Sequence, residues 1–387
     1  MSGLNFFEYS RPAIGHPVTR FLTLASVLAF SVPVLVSAQS RVYESTEHNF
    51  RLVTIAERLE HPWSIAFLPD GDILVTERPG RLRIIRDGKL LPEPVEGVPE
   101  VRVGNQGGLA EVLPHPDFES NRLLYLSYAK SRDGGAEGTT VVVRGRFEDD
   151  RLADVEEIFE AEAWVAGMGH YGAKLAFDDD GYLFVTVGDR QAPPKGDLEA
   201  HPAQNTMNNQ GTINRIYDDG RIPADNPFVN DRDFRPEIWS YGHRNPQGLA
   251  IHPETGDVWA TEHGPQGGDE LNLILPGRNY GWPIIGYGVN YRTGIPIHDR
   301  NEHAGMEQPA AFWIPSIGAS GLMIYDGDRF PEWRGNIFAG GLAANHRRLT
   351  RFMIDGRRVA TREPLMLGEY RIRDVRQSPD GYIYLAI

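Results

Sequence analysis

Apolar residues in this chain alternate with polar ones over short stretches, and from Phe50 onward no stretch keeps the period of a helix. One theme recurs, in which an apolar strand is followed by a turn built on Asp, Gly or Asn and by a second apolar strand. Aspartate precedes Gly71, Gly181 and Gly381, and glycine suits the positive φ of tight hairpin turns. The theme predicts six strand–turn–strand units, at Ser64–Glu77, Gly108–Ala129, Ala173–Asp189, Gly248–Gly264, Gly321–Leu342 and Arg373–Ile387.

Repetition of one unit six times predicts an all-β fold, a six-bladed β-propeller of four-stranded antiparallel sheets around a central channel. Two β-sandwiches are the alternative, which is less favoured because the theme recurs instead of changing halfway along the chain. A propeller ring closes when one blade takes a strand from the opposite terminus, and Phe50–Glu57 is the expected donor to the blade of Asp374–Ile387. The sequence stops within an apolar strand, so we expect the last blade either to lack a strand or to be unusual.

The first 38 residues have the pattern of a secretory leader. Basic residues precede an apolar run that ends in the small residues VSA at positions 36–38. A membrane anchor is the alternative, but Pro33 and several hydroxyl residues dilute a run that is barely long enough to span a bilayer. We expect cleavage of residues 1–38, which would leave residues 39–387 as a single catalytic propeller domain, periplasmic or secreted, without stable membrane insertion.

The composition of the chain limits the classes of partner that it is expected to bind. The chain has 387 residues, a formal net charge of -14 and no cysteine. An acidic surface repels phosphate groups, so we expect neither nucleic acid nor an anionic membrane as a partner. Such a surface also suits cations, although most of its charge is expected to be simply solvated. Without disulfides, an exported chain must draw its stability from its core, its topology or a bound metal.

Ligands of propellers sit at one end of the channel, so site residues are expected on loops of several blades. His170 lies between glycines directly before a predicted strand, where an imidazole can point into the channel and act as a general base. A structural loop histidine is the alternative. Gln106 lies in a similar glycine-rich segment, and its amide suits a flat polar ligand, although a simple turn residue is also compatible with the pattern.

Two groups of basic residues precede strands of later units. Arg244 and Asn245 precede the fourth unit, and Arg371 and Arg373 lie at the start of the sixth. Two arginines at i and i+2 of a strand share a face, which is costly unless an anion lies between them. The pattern therefore indicates an anionic ligand at the channel, while ion pairs with the surplus acidic residues remain an alternative.

The run HGPQGGDELNLILPGRNYGW, at positions 263–282, is typical of a site for a hard cation. Its Gly and Pro turns expose backbone carbonyls, and Asp269 and Glu270 add the carboxylate oxygens that Ca²⁺ prefers. The spacing fits no EF-hand loop, so the composition alone is only moderately specific.

Taken together, the motifs resemble one family, the soluble aldose sugar dehydrogenases, that is, the soluble quinoprotein glucose dehydrogenases that use pyrroloquinoline quinone. The resemblance runs from about Leu59 to the C-terminus and implies oxidation of the C1 hydroxyl of aldoses to lactones, with electrons passed on to a separate acceptor. The motifs that carry it, in this order, are GNQGGL, GHYGAKLAFD, GTINRI, DGRIPADNPF, GHRNPQGLA, EHGP, GDELNLI, GRNYGWP and YRIRDVRQSPDGYIY.

The resemblance also implies roles for individual residues. His170 matches the general base, which takes the proton of the anomeric hydroxyl while hydride passes to the quinone. The backbone carbonyls of Gly264 and Pro265 match a Ca²⁺ site beside the cofactor, and the Glu270 carboxylate and Tyr280 carbonyl match a second, structural Ca²⁺ site. The positions that match cofactor contacts are Gln106, Arg244, Asn245, Tyr291, Arg371 and Arg373.

Three departures from the family pattern concern affinity for the quinone more than the fold. Gly169 precedes the histidine where the family often has Asp or Asn, Ala344 replaces a cofactor-binding lysine, with His346 or Arg347 as candidates to compensate, and Lys174 stands where arginine is common.

Two other functions remain open at this point: a Ca²⁺-dependent propeller lactonase, and a non-catalytic propeller that binds carbohydrate or protein. The preferred sugar, the oligomeric state and the electron acceptor do not follow from the sequence.

Overall fold

A ring of six antiparallel β-sheets makes up the protein, of which the computed structural model describes residues 2–9 and 41–387. Five sheets have four strands and the sixth has five. The first strand of each sheet contacts the first strands of both neighbouring sheets, so these strands form a closed inner ring. The predicted six-bladed propeller is therefore confirmed, and each predicted unit forms the first two strands of one blade.

The strands follow one another around the ring in chain order. The last blade takes three strands from the start of the chain, namely β1 (Gly3–Tyr9), β2 (Val42–Tyr43) and β3 (Phe50–Glu57). The first blade contains β4 (Pro62–Phe67), β5 (Ile73–Glu77), β6 (Arg81–Arg86) and β7 (Lys89–Leu90). The second contains β8 (Leu109–Pro114), β9 (Leu123–Arg132), β10 (Glu137–Glu148) and β11 (Arg151–Glu160).

The remaining blades repeat this plan. The third contains β12 (Leu175–Phe177), β13 (Tyr182–Val187), β14 (Thr212–Tyr217) and β15 (Ile238–Tyr241). The fourth contains β16 (Pro246–Ile251), β17 (Val258–Glu262), β18 (Asp269–Ile274) and β19 (Ala311–Trp313). The fifth contains β20 (Ala319–Ile324), β21 (Ile337–Gly341), β22 (Leu349–Asp355) and β23 (Arg358–Leu365), and the last blade begins with β24 (Asp374–Gln377) and β25 (Ile383–Ala386).

Helices are few and short in the described ranges. One α-helical turn, α1, spans Phe118–Asn121, and 3₁₀ turns span Asp133–Gly135, Pro202–Gln204 and Pro331–Trp333. No helix in residues 2–9 and 41–387 has the length and apolar character needed to cross a membrane. The apolar run of the predicted leader lies outside the described residues.

The core lies between blades, because each sheet packs its two faces against its two neighbours. Six apolar clusters each join a pair of adjacent blades. The middle strands are consequently buried on both sides, as in β5, where every residue of the sequence ILVTE is buried. This explains why these strands contain near-continuous apolar runs instead of strict alternation.

The last blade differs from the expected arrangement. The strand β3 belongs to this sheet, as predicted, but β1 lies between β3 and β25, so that Phe6 is paired with Val53 on one side and Tyr384 on the other. The sheet therefore has five strands, in the order β2-β3-β1-β25-β24. Because β1 falls within residues 1–38, it belongs to the segment for which we predict cleavage, and that cleavage stays a prediction.

A buried ion cluster in the channel joins the inner strands. The Lys174 ammonium lies 2.8 Å from Glu111 Oε2 and 2.7 Å from Asp374 Oδ1. Arg376 forms ion pairs with the same two carboxylates, and Ser64 Oγ donates a hydrogen bond to Glu111 Oε1 over 2.8 Å. Lys174 was considered above as a counterpart of a family arginine, and its charge is committed to this cluster.

Replacing Lys174 with Ala is expected to lower the free energy of unfolding by about 3–5 kcal/mol, because two buried carboxylates lose a shared partner. Urea-induced unfolding measures the loss. Lys130 is the matched control, since it also lies between two carboxylates, Glu157 and Glu160, but at a side-chain exposure of 34%. Lys130→Ala should cost about 1 kcal/mol or less. Equal losses in the two variants would contradict a stabilising role for the channel cluster.

Candidate active site

Two sets of segments meet at one end of the channel. In a β-hairpin the start of the first strand and the end of the second strand lie at the same edge of the sheet. In each blade, the residues just before the first strand and just after the second therefore point to the same end of the ring. Chemistry-bearing residues of both sets lie there, including Gln106 and Arg373 before first strands, and Arg78 and His263 after second strands.

These segments enclose a cavity of about 700 Å³. Four of the residues predicted for the site line it directly, and they come from the second, fourth and last blades. Those four are Gln106, Tyr291, Arg371 and Arg373. The walls also include Trp63, Arg78, His263, Ala343, Arg347 and Tyr370.

His170 adjoins this cavity through Gln106, whose Oε1 accepts a hydrogen bond from the His170 backbone N–H over 2.8 Å. His170 is 5% exposed, and its Nδ1 lies 2.5 Å from Asp189 Oδ1. Because an ionised carboxylate only accepts hydrogen bonds, the proton of the neutral ring lies on Nδ1. The lone pair of Nε2 is then available, which is the arrangement of a general base oriented by a carboxylate.

Asp189 is itself held in place from two sides. Its Oδ2 accepts a hydrogen bond from Trp282 Nε1 over 2.7 Å, and its backbone N–H donates to the Arg244 carbonyl over 2.8 Å. Arg244 also places its guanidinium carbon 5.2 Å from the centre of the Trp282 ring. The third and fourth blades thus cooperate to fix the carboxylate that fixes His170.

The loop before His170 explains the glycine at position 169. A Cβ on Gly169 would lie 2.2 Å from the carboxamide carbon of Gln191, so that the Gln191 side chain occupies the space of a side chain at position 169. Arg190 clamps the same loop through the carbonyls of Gly167 and Gly169, with its guanidinium 3.4 Å from the centre of the Tyr171 ring. His170 adopts a positive φ of 50°, which this packing sustains.

Electrostatics keep the imidazole of His170 neutral. Burial and the charge of Arg244 lower the pKa of His170 below its ordinary value of 6.5, although Asp189 opposes the shift. A group held neutral in the folded state takes up its proton more readily in the unfolded chain. This histidine therefore stabilises the fold less as pH falls below about 6.5.

Positive charge without carboxylate partners is concentrated around the cavity. Within the described ranges, no carboxylate lies within ion-pair distance, 4.0 Å, of any arginine that lines it. Arg373 donates to Gln247 Oε1 over 2.9 Å and stacks 3.9 Å from the centre of the Trp63 ring. Burial and the charge of Arg371 lower the pKa of Arg373 well below its ordinary range. The arrangement is suited to binding a ligand with several negative charges.

The amides of Asn245 and Gln106 form a polar floor between the histidine and the arginines. Asn245 is fully buried, and its Oδ1 accepts hydrogen bonds from the Gly172 N–H over 3.1 Å and Gln247 Nε2 over 3.2 Å. Its Nδ2 lies 3.4 Å from Gln106 Oε1. At the rim, Tyr291 is 63% exposed and donates to the Gly264 carbonyl over 3.3 Å.

The carbonyls predicted as calcium ligands have partners within the protein. The Gly264 carbonyl also accepts from Arg244 Nη1 over 2.7 Å, and the Pro265 carbonyl accepts from Ser316 Oγ over 3.0 Å. Each carbonyl oxygen has two lone pairs, so the Pro265 carbonyl keeps one for a cation, whereas the Gly264 carbonyl would have to give up its hydrogen bond from Tyr291 or Arg244. Two carbonyls are a partial coordination set, and a hard cation here would take further oxygens from its neighbours.

Glu270 and Tyr280 line a separate small cavity of about 20 Å³, together with Glu262. Asn272 Nδ2 donates to both carboxylates, over 2.8 Å to Glu262 and 3.1 Å to Glu270. Burial and the charge of Glu262 raise the pKa of Glu270 well above its ordinary range. The described residues contain no cluster of three or more His, Cys, Asp or Glu that could hold a metal, so a cation here would depend on these two carboxylates and on backbone carbonyls.

Sequence reasoning missed Asp189, Arg78 and His263. Arg78 and His263 directly follow the second strand of a blade, and Asp189 follows one after a single glycine and ends a predicted unit. Equivalent positions in the repeat were therefore the available signal. In the turn of the fifth blade, Ala343 lines the cavity, whereas Ala344 is exposed and absent from the lining.

The protein is a six-bladed propeller with a cavity lined by arginines and, next to it, a histidine that a carboxylate orients. The family model described as "Glucose / Sorbosone dehydrogenase" matches residues 59–387, and the chain belongs to this family. It is 40% identical over 337 residues to the aldose sugar dehydrogenase YliI of Escherichia coli K12, covering 86% of this chain and 88% of that protein.

Solved structures agree with this family. A crystal structure of a glucose dehydrogenase superposes with a TM-score of 0.80 at 47% identity, covering 86% of this chain and 94% of the other. The pyrroloquinoline-quinone-bound aldose sugar dehydrogenase of Streptomyces coelicolor superposes with a TM-score of 0.67 at 26% identity, covering 86% and 95%.

Replacing Asp189 with Asn is expected to lower the pKa of His170 further, because the carboxylate is what favours the imidazolium at this place. NMR titration of the protein with ¹³C-labelled histidine measures the pKa, and His170→Ala identifies the signal. Asp180→Asn, in an exposed hairpin turn, is the control and should leave the titration unchanged. An unchanged or raised pKa in Asp189→Asn would contradict the assigned contact.

Proposed function

We propose that the protein is an exported dehydrogenase that oxidises the C1 hydroxyl of cyclic aldoses to lactones, with pyrroloquinoline quinone as cofactor and with Ca²⁺. The observation that carries the proposal is the cavity, where guanidinium groups without carboxylate partners lie beside a neutral imidazole. The quinone is planar and carries three carboxylates, which complements this set of cations. The names of the Escherichia coli and Streptomyces relatives support the same reaction and cofactor.

The residues of the chain divide the binding work between them. Arg371 and Arg373 hold carboxylates, and the amides of Gln106 and Asn245 supply hydrogen bonds along the flat ring system. Arg244 lies next to the Gly264 carbonyl and neutralises negative charge that develops on the ligand. Tyr291, at the rim, covers the ligand and limits access of water from one side.

Proton removal from the sugar falls to His170. Its Nε2 accepts the proton of the C1 hydroxyl, and the Asp189 carboxylate stabilises the imidazolium that results. Burial keeps this histidine neutral before the reaction, so the base is in its active form at neutral pH. When bound, the quinone supplies the two-electron acceptor, and a separate protein or small molecule takes the electrons onward.

Calcium is assigned to two places. The carbonyls of Gly264 and Pro265 would contribute to an ion beside the cofactor, where it adds positive charge next to the ligand. The Glu270 carboxylate and the Tyr280 carbonyl would hold a second ion that neutralises the buried pair of Glu262 and Glu270.

A propeller lactonase is the second candidate. Its metal would need several acidic and amide side chains converging on the channel, whereas four arginines line this cavity and favour an anionic ligand. A non-catalytic sugar-binding propeller would have no need of the ordered pair of His170 and Asp189. Lactone hydrolysis in the absence of quinone would be evidence for the lactonase.

Adding quinone and Ca²⁺ to the protein should give aldose-dependent dye reduction and a change in the quinone absorbance when sugar is added. His170→Ala is expected to lower kcat by about 10²–10⁴-fold, because general base catalysis contributes that much, and to leave quinone affinity nearly unchanged. His303→Ala, at an exposed loop, is the control. No activity with any aldose and no retained quinone would contradict the proposed function, and full activity in His170→Ala would remove this residue from its role.

Calcium should raise the melting temperature of the protein in proportion to the logarithm of its concentration, since it binds the folded state. Glu270→Gln removes one of two adjacent carboxylate charges, so it should raise the melting temperature without calcium and abolish the calcium-dependent increase. Differential scanning calorimetry in chelator and in calcium measures both effects, with exposed Glu93→Gln as control. A full calcium response in Glu270→Gln would contradict the assignment of Glu270.

A further inference from the structure

Two arginines line the cavity without a role in the reaction described above, and only Arg347 was named from the sequence, as one of two candidates to replace a lysine. Arg78 follows the second strand of the first blade, and Arg347 lies in the turn between β21 and β22 of the fifth. The Nε of each is buried and has no hydrogen-bond partner among the described residues. Arg78 donates one Nη1 hydrogen bond to the Asn105 carbonyl, so neither guanidinium is neutralised by the protein.

We propose that Arg78 and Arg347, with Arg371, form a three-guanidinium clamp for one carboxylate of the bound polycarboxylate. The assignment of that ligand as pyrroloquinoline quinone rests on the proposed function. The clamp itself rests on the chain: three arginines from the first, fifth and last blades line one cavity without a carboxylate partner in the described ranges.

The charges of the three groups act on one another. Partial burial and the charges of Arg347 and Arg78 lower the pKa of Arg371. Arg373 and Arg244 already have partners, the former in Gln247 and the latter in the carbonyls of His263 and Gly264. None of these partners carries a charge, so the cavity keeps its positive charge, and a carboxylate between Arg78, Arg347 and Arg371 would relieve the repulsion among them.

In the turn between β21 and β22 of the fifth blade, the basic residue that reaches the cavity lies near the end of the turn. Ala343 lines the cavity but offers only a methyl group, and Arg347, four residues further along, reaches the same cavity. The backbone of this turn is fixed by hydrogen bonds from the N–H groups of Leu342 and Ala343 to the Ile317 carbonyl over 2.8 and 2.7 Å. Arg347 is therefore the residue of this turn that brings positive charge to the cavity lining.

A role in the clamp and a purely structural role predict different effects of removing an arginine on stability and on ligand affinity. Removing an unneutralised cation should leave the ligand-free protein equally or more stable, while weakening the ligand. A structural arginine, when removed, would lower stability and affinity together. Methionine is the replacement of choice because it keeps the apolar stem of the side chain and removes the charge.

The experiment compares wild type with Arg78→Met, Arg347→Met, Arg347→Lys and the control Arg348→Met, whose side chain points to a different surface cleft. Equilibrium dialysis gives the Kd for pyrroloquinoline quinone, and calorimetry gives the Kd for the simple probe benzene-1,3,5-tricarboxylate. Arg78→Met and Arg347→Met should each bind both ligands about tenfold or more weakly, whereas Arg347→Lys should retain most of the affinity. The melting temperature of each ligand-free cavity variant should equal or exceed that of wild type.

The outcomes separate the two proposals. If wild type binds quinone and the Met variants bind it equally well, or if Arg348→Met weakens binding as much, the clamp is wrong and the proposed function stands. If wild type binds the tricarboxylate through Arg78 and Arg347 but fails to bind quinone, the clamp stands and the proposed cofactor is wrong. If wild type binds neither ligand, both are overturned, and a lower melting temperature in both Met variants would assign the arginines to the fold.

Discussion

The buried ion cluster in the channel is the constraint on which the geometry of the site depends. Lys174 bonds Glu111 and Asp374, so that one ammonium joins the inner strands of the second, third and last blades. Each of these groups lies close in sequence to a residue of the cavity: Lys174 follows His170 by four residues, and Asp374 directly follows Arg373. A shift of one inner strand would therefore move a residue of the site, and the cost of separating buried charges opposes that shift.

Charge is distributed unequally along the channel. In the ion cluster, cations and carboxylates alternate and neutralise one another, whereas at the open end the guanidinium groups have only amides, carbonyls and aromatic faces as partners. The chain as a whole carries a net charge of -14, so carboxylates are abundant, and Glu369 is part of the cavity lining, yet within the described ranges none lies within ion-pair distance of the arginines there. The guanidinium groups without carboxylate partners thus lower the stability of the folded protein, which is common where a protein is preorganised for a ligand of opposite charge.

The repeat explains why much of the fold, but only part of the site, could be predicted from the sequence. Each hairpin has a local pattern of apolar strands around a turn built on Asp, Gly or Asn, so the number of blades followed directly. Residues leading into the first strands, such as Gln106 and His170, were recognised because glycines flank them. Residues after the second strands, such as Arg78 and Asp189, lack that local mark, and their place at the site depends on the pairing of strands within each blade. The insertion of β1 into the last blade could not be predicted from the local sequence pattern either, because it pairs segments far apart in sequence.

The orientation of His170 is set by groups outside its own loop. With glycine at 169, no neighbouring side chain in the loop is available to hold the imidazole, and the Gln191 carboxamide fills the space instead. The orienting group comes from Asp189, at the end of the next strand, where Trp282 and the Arg244 carbonyl hold it in place. Since that carboxylate is buried and contacts the fourth blade, the imidazole is fixed by the packing between blades and not by its own flexible loop. His170 is therefore held in place by the framework of the propeller, although it lies on a loop.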